Sequence, residues 1–206
     1  MRVVRAFPIA IVVALTIVSS APGGHGRRQR VTIIGDSVAG SLVENPQSVR
    51  YLRRSFDLRL DLAVCRRLAA PSCVYQGEQP STALEAVQAR RGHLGETVVV
   101  DVGYNDDAAP YRSGVGRVMR ALVRAGVKNV IWTTLYEAGT YRSVYVQSNR
   151  AIWRAAKRWK QLHVADWNGR AHGRAWFGSD GLHLNGAGAM GLARLFRQTI
   201  VTTREQ

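Results

Sequence analysis

The sequence predicts an α/β domain in three layers, with a five-stranded parallel sheet covered by helices on both faces. Short apolar segments alternate with longer segments in which apolar residues recur at helical spacing. Residues 97–102 (T-V-V-V-D-V) are apolar almost throughout, as in a strand buried on both faces of a parallel sheet. Strands that alternate with helices along a chain favour this layered arrangement.

The N-terminal residues resemble an export signal rather than part of the fold. Arg2 and Arg5 precede an apolar run over residues 6–18, and small residues follow up to Ala21. This pattern predicts a secretory signal peptide over residues 1–21, with an uncleaved membrane anchor as the alternative. The apolar run is shorter than the ~20 residues of a spanning helix, so we expect no stable transmembrane span after cleavage. The protein is then expected to be secreted or held in the cell envelope.

The remaining chain divides into a basic linker over residues 22–30 and one folded domain over residues 31–206. A chain of 206 residues favours a single domain. The formal net charge of +15 predicts attraction to polyanions such as an anionic envelope polymer. The basic residues are spread along the chain and form no recognition motif, so no specific nucleic-acid binding is predicted.

Cys65 and Cys73 are the two cysteines of the chain. In an exported protein, an even pair at short separation predicts a disulfide that closes one loop. Half of a metal site is the alternative, but neither a second cysteine pair nor a nearby histidine completes one. We therefore predict no metal.

The elements follow in order from the apolar pattern and the turn residues. The predicted strands comprise residues 31–34, 56–64, 97–102, 129–134 and 162–165. The predicted helices comprise residues 37–55 with a break at Asn45-Pro46, 81–91, 114–124, 143–160 and 186–201. Residues 65–80 form a long loop, and residues 166–179 are expected to be irregular.

Three polar segments follow strands of the predicted sheet. Ser37 comes directly after the first strand, Asn105 follows the third, and residues 166–185 follow the fifth. The carboxyl ends of parallel strands meet at one edge of a sheet, where ligands bind. We therefore expect these segments to lie together, although they are far apart in sequence.

The spacing of Asp180 and His183 can place a carboxylate and an imidazole on one face of a turn. If His183 also reaches Ser37, Asp180 orients the imidazole and His183 acts first as general base and then as general acid. Ser37 is then the nucleophile. Alternatively, His183 is an ordinary residue at a helix start and Asp180 is its cap.

An acyl-transfer site also needs hydrogen-bond donors for the oxyanion. The side chain of Asn105 and the backbone N–H of Ser37, at a helix start, are the candidates. Residues 103–106 could instead be only a polar turn. Asp36 and Asp106 are interpreted as structural carboxylates without a catalytic step.

Three segments in this order resemble blocks of the SGNH (GDSL-type) hydrolase superfamily. They are Gly35-Asp36-Ser37, Gly103-x-Asn105-Asp106 and Asp180-x-x-His183. The resemblance implies a flavodoxin-like sandwich, a Ser37–His183–Asp180 triad and an oxyanion hole that includes Asn105. The chain is similar to exported actinobacterial-type SGNH esterases. Residues 180–185 (D-G-L-H-L-N) also resemble the SGNH modules of bacterial envelope acyltransferases.

The second block of the superfamily departs from the pattern. Family members usually have a glycine after strand two whose backbone N–H is an oxyanion donor, whereas this chain has Val64-Cys65-Arg66-Arg67. The backbone of Cys65 or Arg66 could substitute. Arg66 or Arg67 could instead place a cation at the mouth of the site, which would suit an anionic substrate.

These observations predict an exported serine esterase that hydrolyses small-molecule or glycan acyl or acetyl esters without a cofactor. One alternative is O-acetyl transfer to or from a cell-envelope glycan, with a sugar hydroxyl in place of water. Another is a non-catalytic binder of an anionic envelope polymer. A nucleotide-binding domain is a weaker alternative, because no glycine-rich phosphate loop follows strand one.

Overall fold

A computed structural model describes residues 28–204, and the predicted signal peptide and most of the predicted linker lie outside this range. Five strands form one parallel sheet in the order β2-β1-β3-β4-β5, which confirms the predicted fold class. The strands are β1 (Arg30–Gly35), β2 (Asp57–Leu62), β3 (Thr97–Asp101), β4 (Asn129–Thr133) and β5 (Leu162–Ala165). Strand β1 thus begins at Arg30, which the sequence analysis assigned to the linker.

Seven helices connect and follow these strands within the described residues. They are α1 (Ser37–Glu44), α2 (Pro46–Arg53), α3 (Ala83–Ala89), α4 (Ala108–Arg124), α5 (Arg142–Ala156), α6 (Trp167–Ala171) and α7 (Gly186–Arg204). The predicted break at Asn45-Pro46 separates α1 from α2, because a proline at the first helical position needs no N–H partner. Within residues 28–204, no helix is both long enough and apolar enough to cross a membrane.

The sheet has a hydrophobic core on each face, as the predicted three layers require. Val31 and Ile33 of β1 pack in one core with residues of α1, α2 and α7. Ile34 points to the opposite core, which α3, α4 and α5 help to close. Because successive strand residues face opposite sides, a strand buried on both faces is apolar at nearly every position.

The largest differences from the predicted elements are two helix bounds and one helix that was not predicted. Helix α4 begins at Ala108 rather than at residue 114, because Pro110 lies in its first turn, where a proline is tolerated. Helix α5 ends at Ala156, short of the predicted residue 160. The short helix α6 lies in a segment predicted to be irregular, and the Asp166 carboxylate caps it by accepting the Gly169 N–H at 3.1 Å.

The predicted disulfide between Cys65 and Cys73 is formed, with the two Cα atoms 5.3 Å apart. It closes the beginning of the long loop that runs from β2 to α3. This loop lies at the carboxyl edge of the sheet, beside the ends of β1 and β3.

Candidate active site

Ser37 is the first residue of α1, directly beyond the end of β1. The Asp36 carboxylate caps this helix by accepting the Val38 N–H at 3.0 Å. Gly35 allows the strand and helix to approach closely, since a Cβ there would collide with Ala39 and would lie 2.8 Å from a methyl of Leu62. Ser37 is thus presented, half-buried, by a tight turn between two rigid elements.

Ser37, His183 and Asp180 form one chain of hydrogen bonds. The Ser37 Oγ lies 3.0 Å from Nε2 of His183, and Nδ1 of His183 lies 2.6 Å from Oδ2 of Asp180. The other carboxylate oxygen of Asp180 accepts the backbone N–H groups of Leu182 and His183 at 2.9 and 3.0 Å. Chiefly because of the His183 side-chain hydrogen bond, the pKa of Asp180 falls to about 2. Asp180 is therefore ionised at neutral pH and can orient and stabilise an imidazolium.

The loop that carries His183 is fastened on both sides by neighbours of the histidine. The buried Ser41 hydroxyl accepts the Leu184 N–H at 3.0 Å, which ties the loop to α1. Asn185 caps α7 by accepting two backbone N–H groups and donates to the Ala175 carbonyl at 2.9 Å. The role of Ser41 was not predicted from the sequence. Its signal is a polar residue about one helical turn after Ser37, among the apolar residues that form the buried face of α1.

Three candidate oxyanion donors surround the same cavity as Ser37 and His183. The cavity measures about 780 Å³, and Asn105 and Cys65 both line it. Asn105 donates one side-chain hydrogen bond to the Arg66 carbonyl at 3.2 Å, which leaves its second amide hydrogen available. Within residues 28–204, the backbone N–H groups of Ser37 and Cys65 have no hydrogen-bond acceptor.

Arg66 does not place its charge at the mouth of the cavity, so this prediction is wrong. Its guanidinium is buried and donates to the Asp61 carboxylate at 2.9 Å and to the Asp61 and Ser81 carbonyls at 2.6 and 2.9 Å. Its backbone N–H donates to the Ala63 carbonyl at 3.3 Å, which leaves Cys65 as the better oxyanion donor of the two.

Arg67 does not line the cavity either, and its guanidinium lies 3.9 Å from the Asp107 carboxylate. No lysine or arginine is among the described residues that line the cavity. Likewise, the described residues include no group of three or more His, Cys, Asp or Glu side chains that could hold a metal ion.

Two buried carboxylates hold the loops of the site together, as interpreted from the sequence. Asp36 accepts the N–H groups of Gly103 and Tyr104 at 3.0 and 3.1 Å, which joins the end of β3 to the start of α1. Asp106 accepts the Leu68 N–H at 2.9 Å, which joins the Asn105 turn to the loop after β2. Burial raises the pKa of Asp36 and raises the pKa of Asp106 to about 7.

One side of the cavity is apolar and open to solvent. Val43, Val64 and Tyr75, here termed the apolar rim, line it and are each about half exposed, at 50%, 45% and 48%. Glu44 beside them adds a negative charge. Exposed apolar side chains grouped at a cleft are typical of a ligand-binding surface.

Comparison with known proteins finds similarity in structure alone. No protein-family model matches the sequence, and no curated protein does. The chain is similar to the C-terminal catalytic domain of peptidoglycan O-acetyltransferase A from Streptococcus pneumoniae. That likeness has a TM-score of 0.66 at 21% identity and covers 87% of this chain and 97% of that domain.

Two further solved structures have the same arrangement. The psychrotrophic esterase EstA from Pseudoalteromonas sp. matches with a TM-score of 0.63 at 15% identity, over 86% of this chain and all of that one. A protein from Slackia heliotrinireducens assigned to the SGNH hydrolases matches with a TM-score of 0.64 at 17% identity, over 84% of this chain and all of that one. At these identities the comparisons show a common fold.

Proposed function

We propose that this chain, which has the SGNH hydrolase fold, is a serine hydrolase of carboxylic esters. The observation that carries the proposal is the hydrogen-bonded chain from Ser37 through His183 to Asp180, at the edge of the sheet where ligands bind. A serine, a base within hydrogen-bond reach and a carboxylate that orients the base are the parts of an activated nucleophile. Similar solved structures include a named esterase, which agrees with this assignment.

In the acylation step, Ser37 Oγ attacks the ester carbonyl carbon and its proton passes to Nε2 of His183. In the tautomer used here, His183 donates its Nδ1 hydrogen to Asp180 and offers a lone pair to Ser37. The carbonyl oxygen becomes an oxyanion that accepts from the Asn105 amide and the Ser37 and Cys65 backbone N–H groups. When the ester C–O bond breaks, His183 protonates the departing alcohol, and the acyl group stays on Ser37.

Water resolves the acyl-enzyme by the reverse sequence. His183 takes a proton from water as the water oxygen attacks the acyl carbon, and a second oxyanion forms at the same donors. Its collapse releases the carboxylic acid, and Ser37 recovers its proton from His183. Ser37 and water supply the nucleophiles, and His183 carries each proton. This mechanism therefore needs no metal or organic cofactor.

The lining of the cavity supports an uncharged ester substrate, either a small molecule or an esterified glycan. The apolar rim can pack against the acyl or alcohol portion, and Glu44 disfavours an anionic group beside it. The cavity volume of about 780 Å³ is far larger than an acetyl group requires, so the cavity has room for a bulky alcohol such as a sugar.

Acetyl transfer to a glycan is the second candidate. One similar structure is the catalytic domain of a peptidoglycan O-acetyltransferase, which supports this alternative. The acylation step is then unchanged, and a sugar hydroxyl replaces water in the second step. With an acetyl donor and a chitooligosaccharide acceptor, acetylated sugar indicates transfer, whereas free acetate alone indicates hydrolysis.

We further propose that the enzyme works outside the cytoplasm. The signal-like N-terminus and a disulfide beside the site both suit an oxidising compartment. The net charge of +15 suits attraction to an anionic envelope polymer. Such attraction should weaken steeply with added salt, whereas ester hydrolysis should not.

The proposal is tested by hydrolysis of p-nitrophenyl acetate and butyrate by the purified protein and its Ser37→Ala variant. Ser113→Ala is the matched control, because Ser113 is exposed on α4 and does not line the cavity. We expect the control to keep wild-type activity and Ser37→Ala to lose at least 10³-fold in kcat, by analogy with other triad nucleophiles. Activity that does not depend on Ser37 would contradict the proposal.

A further inference from the structure

Cys65 has a backbone conformation that is unusual for its residue type. Its φ angle is +66°, in the left-handed region that glycine adopts freely and other residues rarely adopt. Among the described residues, Gln76 is the only other non-glycine residue with positive φ, and it lies in the turn between Tyr75 and Glu78. Since Cys65 lines the cavity beside Ser37, its conformation decides where one backbone N–H of the site lies.

Covalent and hydrogen bonds fix this conformation from several directions. The Cys65 side chain is bonded to Cys73, and the Cys73 N–H donates to the Cys65 carbonyl at 3.3 Å. The next residue, Arg66, donates its backbone N–H to the Ala63 carbonyl. The Arg66 carbonyl in turn accepts a hydrogen bond from the Asn105 side chain. Within residues 28–204 the Cys65 N–H itself has no hydrogen-bond acceptor, although the backbone groups of Ala63 and Arg66 on either side are bonded.

We infer that the Cys65–Cys73 disulfide is a positioning device for the oxyanion hole. It holds Cys65 in the left-handed conformation in which its backbone N–H is free to donate to the oxyanion on the substrate. The Asn105 hydrogen bond to Arg66 couples the second donor to the same turn. This inference rests on the proposed esterase function and assigns Cys73, which does not itself line the cavity, a role in the rate of the reaction.

Loss of the disulfide should then lower kcat and leave KM nearly unchanged, because the oxyanion is absent from the bound ester and develops only as Ser37 or water attacks. The left-handed conformation is disfavoured for a residue with a Cβ by about five- to thirtyfold. Without the covalent tie, we expect the donor to be misplaced for most of the time and kcat to fall about tenfold. Complete loss of one donor, about 10²- to 10³-fold, is the upper limit.

The test compares two double variants that both lack the disulfide and both carry Cys73→Ser. One has Cys65→Ala and the other has Cys65→Gly, so a single Cβ distinguishes them. Glycine adopts the left-handed conformation without the steric cost, so we expect the Cys65→Gly/Cys73→Ser double variant to have a several-fold higher kcat than the Cys65→Ala/Cys73→Ser double variant. We expect kcat of the Cys65→Ala/Cys73→Ser double variant to be about tenfold lower than that of the wild type. The assay is p-nitrophenyl acetate hydrolysis, at a temperature well below the Tm measured for each variant.

Equal loss of kcat in the two double variants would overturn the inference, since the disulfide would then only hold the loop together. Unchanged kcat in both would overturn it as well. These outcomes differ from failure of the proposed function, in which the wild-type protein shows no Ser37-dependent hydrolysis. That result would remove the esterase assignment and this inference together.

Discussion

Replacing Asp106 by asparagine should change how the stability of the protein depends on pH. Asp106 is 5% exposed, and burial raises its pKa from the ordinary 3.8 to about 7. Between pH 3.8 and about 7, the Asp106 carboxyl is ionised in the unfolded chain but still protonated in the folded chain. The contribution of Asp106 to the free energy of unfolding therefore falls as the pH rises from 4 to 7 and levels off above 7.

The size of this effect follows from the two pKa values. They differ by about 3, and each pKa unit corresponds to 1.36 kcal/mol, so Asp106 costs the folded state about 4 kcal/mol above pH 7. Asparagine cannot ionise, and its side-chain carbonyl can still accept the Leu68 N–H. We therefore expect Asp106→Asn to lose less stability over this pH range than the wild type.

Urea unfolding at several pH values from 4.5 to 8 measures the difference. Asp107→Asn is the matched control, because Asp107 is the next residue and its side chain is 76% exposed. Any pH-independent cost of the amide cancels, since only the slope of stability against pH is compared. Parallel curves for the wild type and Asp106→Asn would refute the reasoning, as would an equal change of slope in Asp107→Asn.

Three further variants test parts of the site. Asp180→Asn should lower kcat by about 10³- to 10⁴-fold, because an amide cannot stabilise the imidazolium; a loss below tenfold in ester hydrolysis would exclude the orienting role. Asn105→Ala should lower kcat by about 10²- to 10³-fold with KM nearly constant, and steady-state kinetics that place the loss in KM would argue against an oxyanion donor. Tyr75→Ala should raise KM several-fold for a hexanoyl ester but not for an acetyl ester, with exposed Tyr141→Ala as control. Equal changes in KM for both esters would argue against contact between the apolar rim and the acyl chain.

The arrangement of the sheet and the site could be predicted because it depends on pattern and topology. Strands that alternate with helices imply parallel pairing, and parallel pairing brings the residues after β1, β3 and β5 to one edge. The structure places Ser37, Asn105 and His183 around one cavity there, as expected from their positions after strands. The disulfide was predictable from the short separation of Cys65 and Cys73.

The direction of individual side chains could not be predicted in the same way. Arg66 follows a strand at the correct edge, yet its charge is turned inward by Asp61 and by the Ser81 carbonyl, which lie on other segments. The left-handed conformation of Cys65 likewise depends on the fold of the whole loop. Ser41 acts through a contact with Leu184, far away in sequence, so its role is visible only once the two segments are packed together.

The most direct test of the central claim is whether Ser37 forms the covalent bond. The protein is treated with a sulfonyl fluoride that reacts with activated serines, and the product is analysed by intact mass and peptide mapping. We expect one adduct on Ser37, with no adduct in Ser37→Ala and a strongly slowed reaction in His183→Ala, which removes the base 3.0 Å from the hydroxyl. An unmodified Ser37, or labelling that proceeds equally well without His183, would contradict the proposed mechanism.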